Sequence, residues 1–182
     1  KELELLKQWI EEGARYDDPW TYKNPINYPA PAVQNKDWPA NFIDHFILSK
    51  LEEVAISPSP DTDPVTLLRR LNFDLTGLPP ALADRERFLR SFESNPQIAI
   101  EAEVERLLKS PHFGERLAIY WLDLVRYADT VGYHGDQDHN ISPYRDYVIR
   151  AFNENMPFDR FTREQLAGDL LPNPTKQQLV AT

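Results

Sequence analysis

The chain has 182 residues, of which 41% are hydrophobic and 27% charged, a composition that suits a folded globular body and excludes wholesale disorder or a fibre. Its 29 acidic against 20 basic residues give a net charge of −9, so the overall field repels phosphate backbones and disfavours nucleic-acid binding. There is no cysteine, which removes disulfides, thiolate metal ligands, a cysteine nucleophile and covalent haem attachment from these residues, and no run approaches the ~20 apolar residues that a bilayer span needs.

Leu3, Leu6, Trp9 and Ile10 recur at helical spacing ahead of Gly13, predicting a short amphipathic helix with a glycine C-cap. Because the chain opens inside that pattern, it reads as a piece of something longer. From Tyr16 to Pro39, five prolines alternate with Trp20, Tyr22, Tyr28 and Trp38, which neither a helix nor a central strand tolerates. The expectation is an extended linker over residues 17–38, its rings packed along a neighbouring surface.

Helical signals then become dense. Phe42, Ile43, Phe46, Ile47, Leu51 and Val54 form a ladder that ends at Ser57-Pro58-Ser59-Pro60. Asp63-Pro64, Asn95-Pro96, Ser110-Pro111 and Ser142-Pro143 each read as an N-cap followed by proline at the first helical position, and Thr76-Gly77-Leu78-Pro79-Pro80 as a stop. Between these marks run apolar ladders such as Leu117, Trp121, Leu124 and Ala128, then Tyr144, Tyr147, Val148 and Phe152. Strand-like alternation is nearly absent, so the fold class is all-α: a compact multi-helix domain over residues 39–182.

The most polar stretch lies between Trp121 and Arg150. Arg116, Asp123 and Tyr127 share one helical face, opposite Leu117 and Trp121, and Asp146 and Arg150 form an i, i+4 pair in the favourable order. Two readings follow for Arg116, Asp123, Arg126, Asp129, Tyr133, Tyr144, Arg145, Asp146 and Arg150. The first is an ion network that fixes the register of two adjacent helices; the second is a site for an anionic or hydroxyl-rich ligand. Asp136, Asp138 and Asn140 match the opening positions of a calcium loop, but Ile141 and Tyr147 stand where glycine and the bidentate glutamate belong. A non-standard divalent-cation site completed by Asp129 or Asp146 is therefore set against a solvated polar loop, and His134 and His139 add two weak transition-metal ligands. Acid-base catalysis by Asp129, Asp136 or Asp138 is a thinner reading, because any acidic loop supplies paired carboxylates. His112 and Met156 make an imaginable haem axial pair, but they read more simply as a helix-start residue and a gap filler.

Taken in order, the motifs carry a family resemblance. Trp38-Pro39 through Ile43, Asp44, Phe46 and Ile47, Leu67-Leu68-Arg69-Arg70-Leu71, Phe73-Asp74-Leu75-Thr76-Gly77-Leu78-Pro79-Pro80, Ser110-Pro111-His112-Phe113-Gly114-Glu115-Arg116, Trp121 to Asp129, Tyr144 to Arg150 and Glu164-Gln165-Leu166-Ala167-Gly168-Asp169 resemble the cytochrome-associated domain of unknown function abundant in planctomycetes and related bacteria. Residues 1–16 resemble the closing helix of the planctomycete-type cytochrome c domain that usually precedes it. The resemblance implies a large periplasmic or extracellular protein in which a cytochrome c-type domain, this helical domain and a C-terminal partner domain share one polypeptide. Haem c is then expected only on the preceding domain, with no cofactor in this chain apart from the calcium option, and the helical domain reads as truncated at its C-terminus. The leading functional expectation is a noncatalytic scaffold or docking module. The alternative is a catalytic or carbohydrate-binding module with its site between Asp129 and Arg150.

Overall fold

The computed structural model describes residues 2–132 and 135–182. Their regular secondary structure is helical apart from one isolated antiparallel bridge between Thr130 and Asp138, and they divide into two compact units, Lys1–Pro60 and Asp61–Thr182.

In the first unit, α1 (Glu2–Glu11) ends at Gly13, whose φ of +96° is the left-handed conformation expected of a glycine cap. Every described residue of α1 is exposed, Leu3, Leu6, Trp9 and Ile10 included. The proline-rich stretch is extended apart from one 3₁₀ turn at Trp20–Tyr22. Of its rings, Trp20 and Tyr22 are 83% and 84% exposed and Tyr28 is exposed as well, whereas Trp38, at 37%, is the most covered of the four. The next segment is ordered by backbone capture, since the Glu52 carboxylate accepts from the Gln34 and Asn35 amides at 2.9–3.0 Å. Asn41 and Asp44 then form a reciprocal capping box at the start of α2 (Phe42–Glu53). The division into units at Pro60 places α2 with the preceding stretch, although its ladder reads in sequence like those that follow it.

The second unit runs through α3 (Pro64–Thr76), α4 (Leu82–Ser94), α5 (Pro96–Leu108), α6 (Pro111–Leu124), α7 (Ser142–Asn153), α8 (Phe158–Ala167) and α9 (Lys176–Ala181). Three predicted starts form as read: the side chains of Asp63, Asn95 and Ser110 accept from amides of the first turn, each with proline next. The fourth does not, because helix already includes Ser142 and its hydroxyl donates to Asn140 Oδ1 at 2.9 Å instead of capping. Gly77 ends α3 at φ +72°.

Two apolar clusters make the core of this unit. Leu68, Phe88 and Ala99 join α3, α4 and α5. Ala118, Tyr147, Val148, Ala151, Phe161 and Ala181 join α6, α7, α8 and α9, with Trp121, Phe152 and Met156 packed against them. Two motif glycines set the close approaches. A Cβ on Gly114 would overlap the Ile149 carbonyl oxygen and the Asn153 side chain, and one on Gly168 would overlap the Gln178 carbonyl oxygen. At the first crossing Asn153 also bridges, accepting from the Gly114 amide at 2.7 Å and donating to the Pro111 carbonyl at 3.0 Å. In the Ser-Pro-His-Phe-Gly motif, Ser110 and Pro111 thus start α6 while Gly114 and the Pro111 carbonyl dock it on α7.

Candidate functional site

The α6/α7 junction gathers part of the polar stretch. Leaving α6, the chain turns through Arg126 at φ +58° and forms a narrow hairpin: Val131 donates to the Gln137 carbonyl at 3.0 Å and His139 to that of Asp129 at 2.8 Å. The turn holds Tyr127 against Tyr144 of α7, with ring centroids 6.4 Å apart and planes 19° off parallel. The Tyr127 hydroxyl donates to Asp129 Oδ1 at 2.6 Å. That hydrogen bond, with a smaller contribution from burial, raises the phenol above its ordinary pKa, and the charges of Arg145 and Asp146 also act on it.

Behind the stacked pair, the Tyr144 hydroxyl donates to Gln165 Oε1 at 2.5 Å, and the Trp121 indole N–H is shared between Gln165 Oε1 at 3.0 Å and the Tyr144 oxygen at 3.1 Å. Gln165 Nε2 is buried and has no acceptor among the described residues. The surface of this patch therefore offers a phenol, a carboxylate and Arg145 paired with Asp146 at 3.9 Å, backed by a rigid aromatic layer. Such a set can hydrogen-bond a hydroxyl-rich molecule from both sides.

Other candidate residues lie apart from it or unpaired. The expected ion network does not form: among the described residues, Asp123, Arg126 and Arg150 make no ion pair, and Asp146 pairs with its neighbour Arg145 instead of with Arg150. The reason is exposure, because Asp123 and Arg126 stand on the solvent side of the α6 end. Arg116 is half-buried, its stem against Gly77 and its guanidinium 5.2 Å from the Tyr120 ring centroid. It packs at the α3 terminus, where a cation suits the carbonyl end of a helix. Asp136, Asp138, His139 and Asn140 are exposed, and no group of three or more histidine or carboxylate side chains is drawn together among the described residues. Tyr133 and His134 lie outside the described residues. His112 meets Glu115 at 2.8 Å, and Met156 fills the core, its sulfur 3.7 Å from the Tyr147 hydroxyl.

Two buried carboxylates escaped the reading of the sequence. Glu103, 3% exposed, is held by Arg106 at 2.6 Å and Arg87 at 3.1 Å, with Asp84 bonded to Arg87 at 2.5 Å. Glu164, 2% exposed, accepts from Tyr147 at 2.8 Å, Arg160 at 2.9 Å and Gln178 at 3.0 Å. Burial by itself would raise both carboxyls, but their hydrogen bonds and cations outweigh it and hold them below the ordinary range. Burial and the adjoining Glu164 push the Tyr147 phenol far upward. The signal for both was helical spacing, Glu103 with Arg106 at i, i+3 and Arg160 with Glu164 at i, i+4.

A family model described as a protein of unknown function (DUF1549, PSCyt2) matches residues 42–182. No curated protein and no solved structure matches the chain.

Proposed function

The chain belongs to this planctomycete cytochrome-associated family of unknown function, and from that premise we propose that its helical body is a noncatalytic docking module of a larger, extracytoplasmic, haem-linked protein. Haem c belongs in this reading to a preceding domain, and a further domain to the C-terminal side. The observation that carries it is a set of exposed apolar side chains on two helices whose opposite faces build the core. On α6, Ile119, Tyr120 and Leu124 are exposed on the side away from Ala118 and Trp121. On α8 and the turn after it, Phe158, Leu166 and Leu170 are more than 70% exposed. Grouped apolar exposure of this kind marks surfaces that meet other protein. No described helix is long and apolar enough to cross a membrane.

Hydroxyl-radical footprinting tests the proposal directly. In the full-length protein, Tyr120, Leu124 and Leu166 are expected to be protected relative to the 182-residue chain. Equal labelling in both would overturn it. A second reading, a carbohydrate-binding or catalytic surface with an optional calcium ion, draws support from the gathering of Tyr127, Asp129, Tyr144, Arg145 and Asp146. It predicts oligosaccharide binding that Tyr127→Phe weakens, with a calcium-dependent rise in melting temperature.

A further inference from the structure

The groove between α7 and α9 contains two cations, Arg150 and Lys176, that make no ion pair among the described residues, and one carboxylate, Asp146. One stretch of about 470 Å³ is lined by Asp146, Arg150 and Lys176, and a second of about 370 Å³ by Ile141 and Tyr144. Pro143 and Val180 line both, so the two run into one another. From Ile141 to Arg150 the helical rise gives a length of roughly 14 Å, which matches about four residues of extended chain.

Charge characterises this groove, which two cations line together, although unpaired arginines also occur elsewhere among the described residues, at Arg69, Arg70, Arg85 and Arg126. Arg87, Arg106, Arg160 and Arg163 each lie within 3.7 Å of a carboxylate oxygen. Among the described residues, Arg150 and Lys176 have no such partner, and Asp146 in the same wall lies 3.9 Å from Arg145. In a chain of net charge −9, two unpaired cations facing one groove with an apolar floor are complementary to a ligand that has a carboxylate beside an apolar group. Tyr144, the aromatic residue of the groove, has its face against Tyr127 and its hydroxyl on Gln165. One face of the ring and its hydroxyl are thus already engaged within the fold.

We infer that the α7/α9 groove binds an extended acidic peptide segment of a partner protein, apolar side chains lying on Pro143 and Val180 and a carboxylate meeting Arg150 and Lys176. This rests on the docking reading, and it names the chemistry of one partner segment. Main-chain length sets the span of the contact, while the cations set its sign.

The test is a hexapeptide array probed with the 182-residue chain, with two alternating apolar positions fixed and the remaining positions scanned through Glu, Gln and Lys. Glutamate sequences are expected to bind about tenfold more tightly than their glutamine counterparts. That preference should disappear in Arg150→Gln/Lys176→Gln, while Arg150→Lys should retain part of it. The melting temperature of the double variant, expected to match the parent, verifies that the fold is intact. Absence of an acidic preference, or its persistence in the folded double variant, would overturn the inference, as would displacement of the peptides by trigalacturonate at equal concentration, which would reassign the groove to acidic sugars. If the array fails while the exposed apolar side chains of α6 and α8 are still protected in the full-length protein, the groove assignment alone is lost; if they are unprotected too, the docking reading fails with it.

Discussion

Glu164 and Asp123 are both acids on helices, yet they have opposite roles. Glu164 sits 2% exposed between three donors from α7, α8 and α9, whereas Asp123 stands exposed at the end of α6 with no ion partner among the described residues. Glu103 repeats the first pattern between α4 and α5, and Asp136 and Asp138 repeat the second in the hairpin. The density of charge along the sequence therefore misleads about where charge stabilises the fold. A carboxylate becomes structural when the helix face it occupies is the one the core selects, and a polar-rich segment outside that contact stays solvated.

Four experiments break or sharpen this contrast. Glu164→Ala should have the largest effect, about 3 kcal/mol by chemical denaturation, because it strands the buried Tyr147 hydroxyl and separates Arg160 and Gln178 from their acceptor. A loss below 1 kcal/mol would mean that water replaces the carboxylate and that the clamp is not structural. Gly114→Ala should follow at about 2 kcal/mol, since the added carbon meets a backbone carbonyl that moves only if α6 and α7 separate. An unchanged denaturation midpoint would place the crossing elsewhere.

The third concerns pH. Glu103 and Glu164 titrate below their ordinary range in the folded chain, so as pH falls the unfolded chain takes up their protons first. Their contribution is present above the unfolded carboxyl value of about 4.3 and is lost as pH drops through the lower folded values. Denaturation midpoints should be flat above about pH 5 and fall below it, and Glu103→Gln/Glu164→Gln should flatten that fall. An equally steep acid loss in the double variant would assign it to other carboxylates. The smallest effect belongs to the exposed set: Asp123→Ala should change stability by less than about 0.5 kcal/mol, and Arg150→Ala, half-buried without a partner, by no more than about 1 kcal/mol. A loss of 3 kcal/mol in either would restore the network that the spacing of these residues suggests.

The candidate site was legible only in part. Asp129, Tyr144, Arg145 and Asp146 stand out by residue type and do come together, but of the residues that organise them Tyr127 was legible only as part of a polar helix face and Gln165 is ordinary in sequence. Gln165 reaches Trp121 and Tyr144 from 44 and 21 positions away, and no local pattern encodes such a meeting. Asp146 and Arg150 show the converse. Their i, i+4 spacing permits a pair, yet permission is not contact when a neighbouring arginine competes for the carboxylate.

From the residues alone came the all-α class, the proline-marked helix starts, the glycine stop at Gly77 and the family motifs. Each depends on interactions within a few positions along the chain, where backbone sterics and capping hydrogen bonds act regardless of the rest of the molecule. Tertiary structure alone decided which faces were buried. It brought Gly114 against Ile149, closed three donors around Glu164, and left the rings of Trp20 and Tyr22 in solvent. Those outcomes turn on contacts between distant segments, where a side chain's environment is set by what packs against it and hydrophobic character by itself does not name the partner.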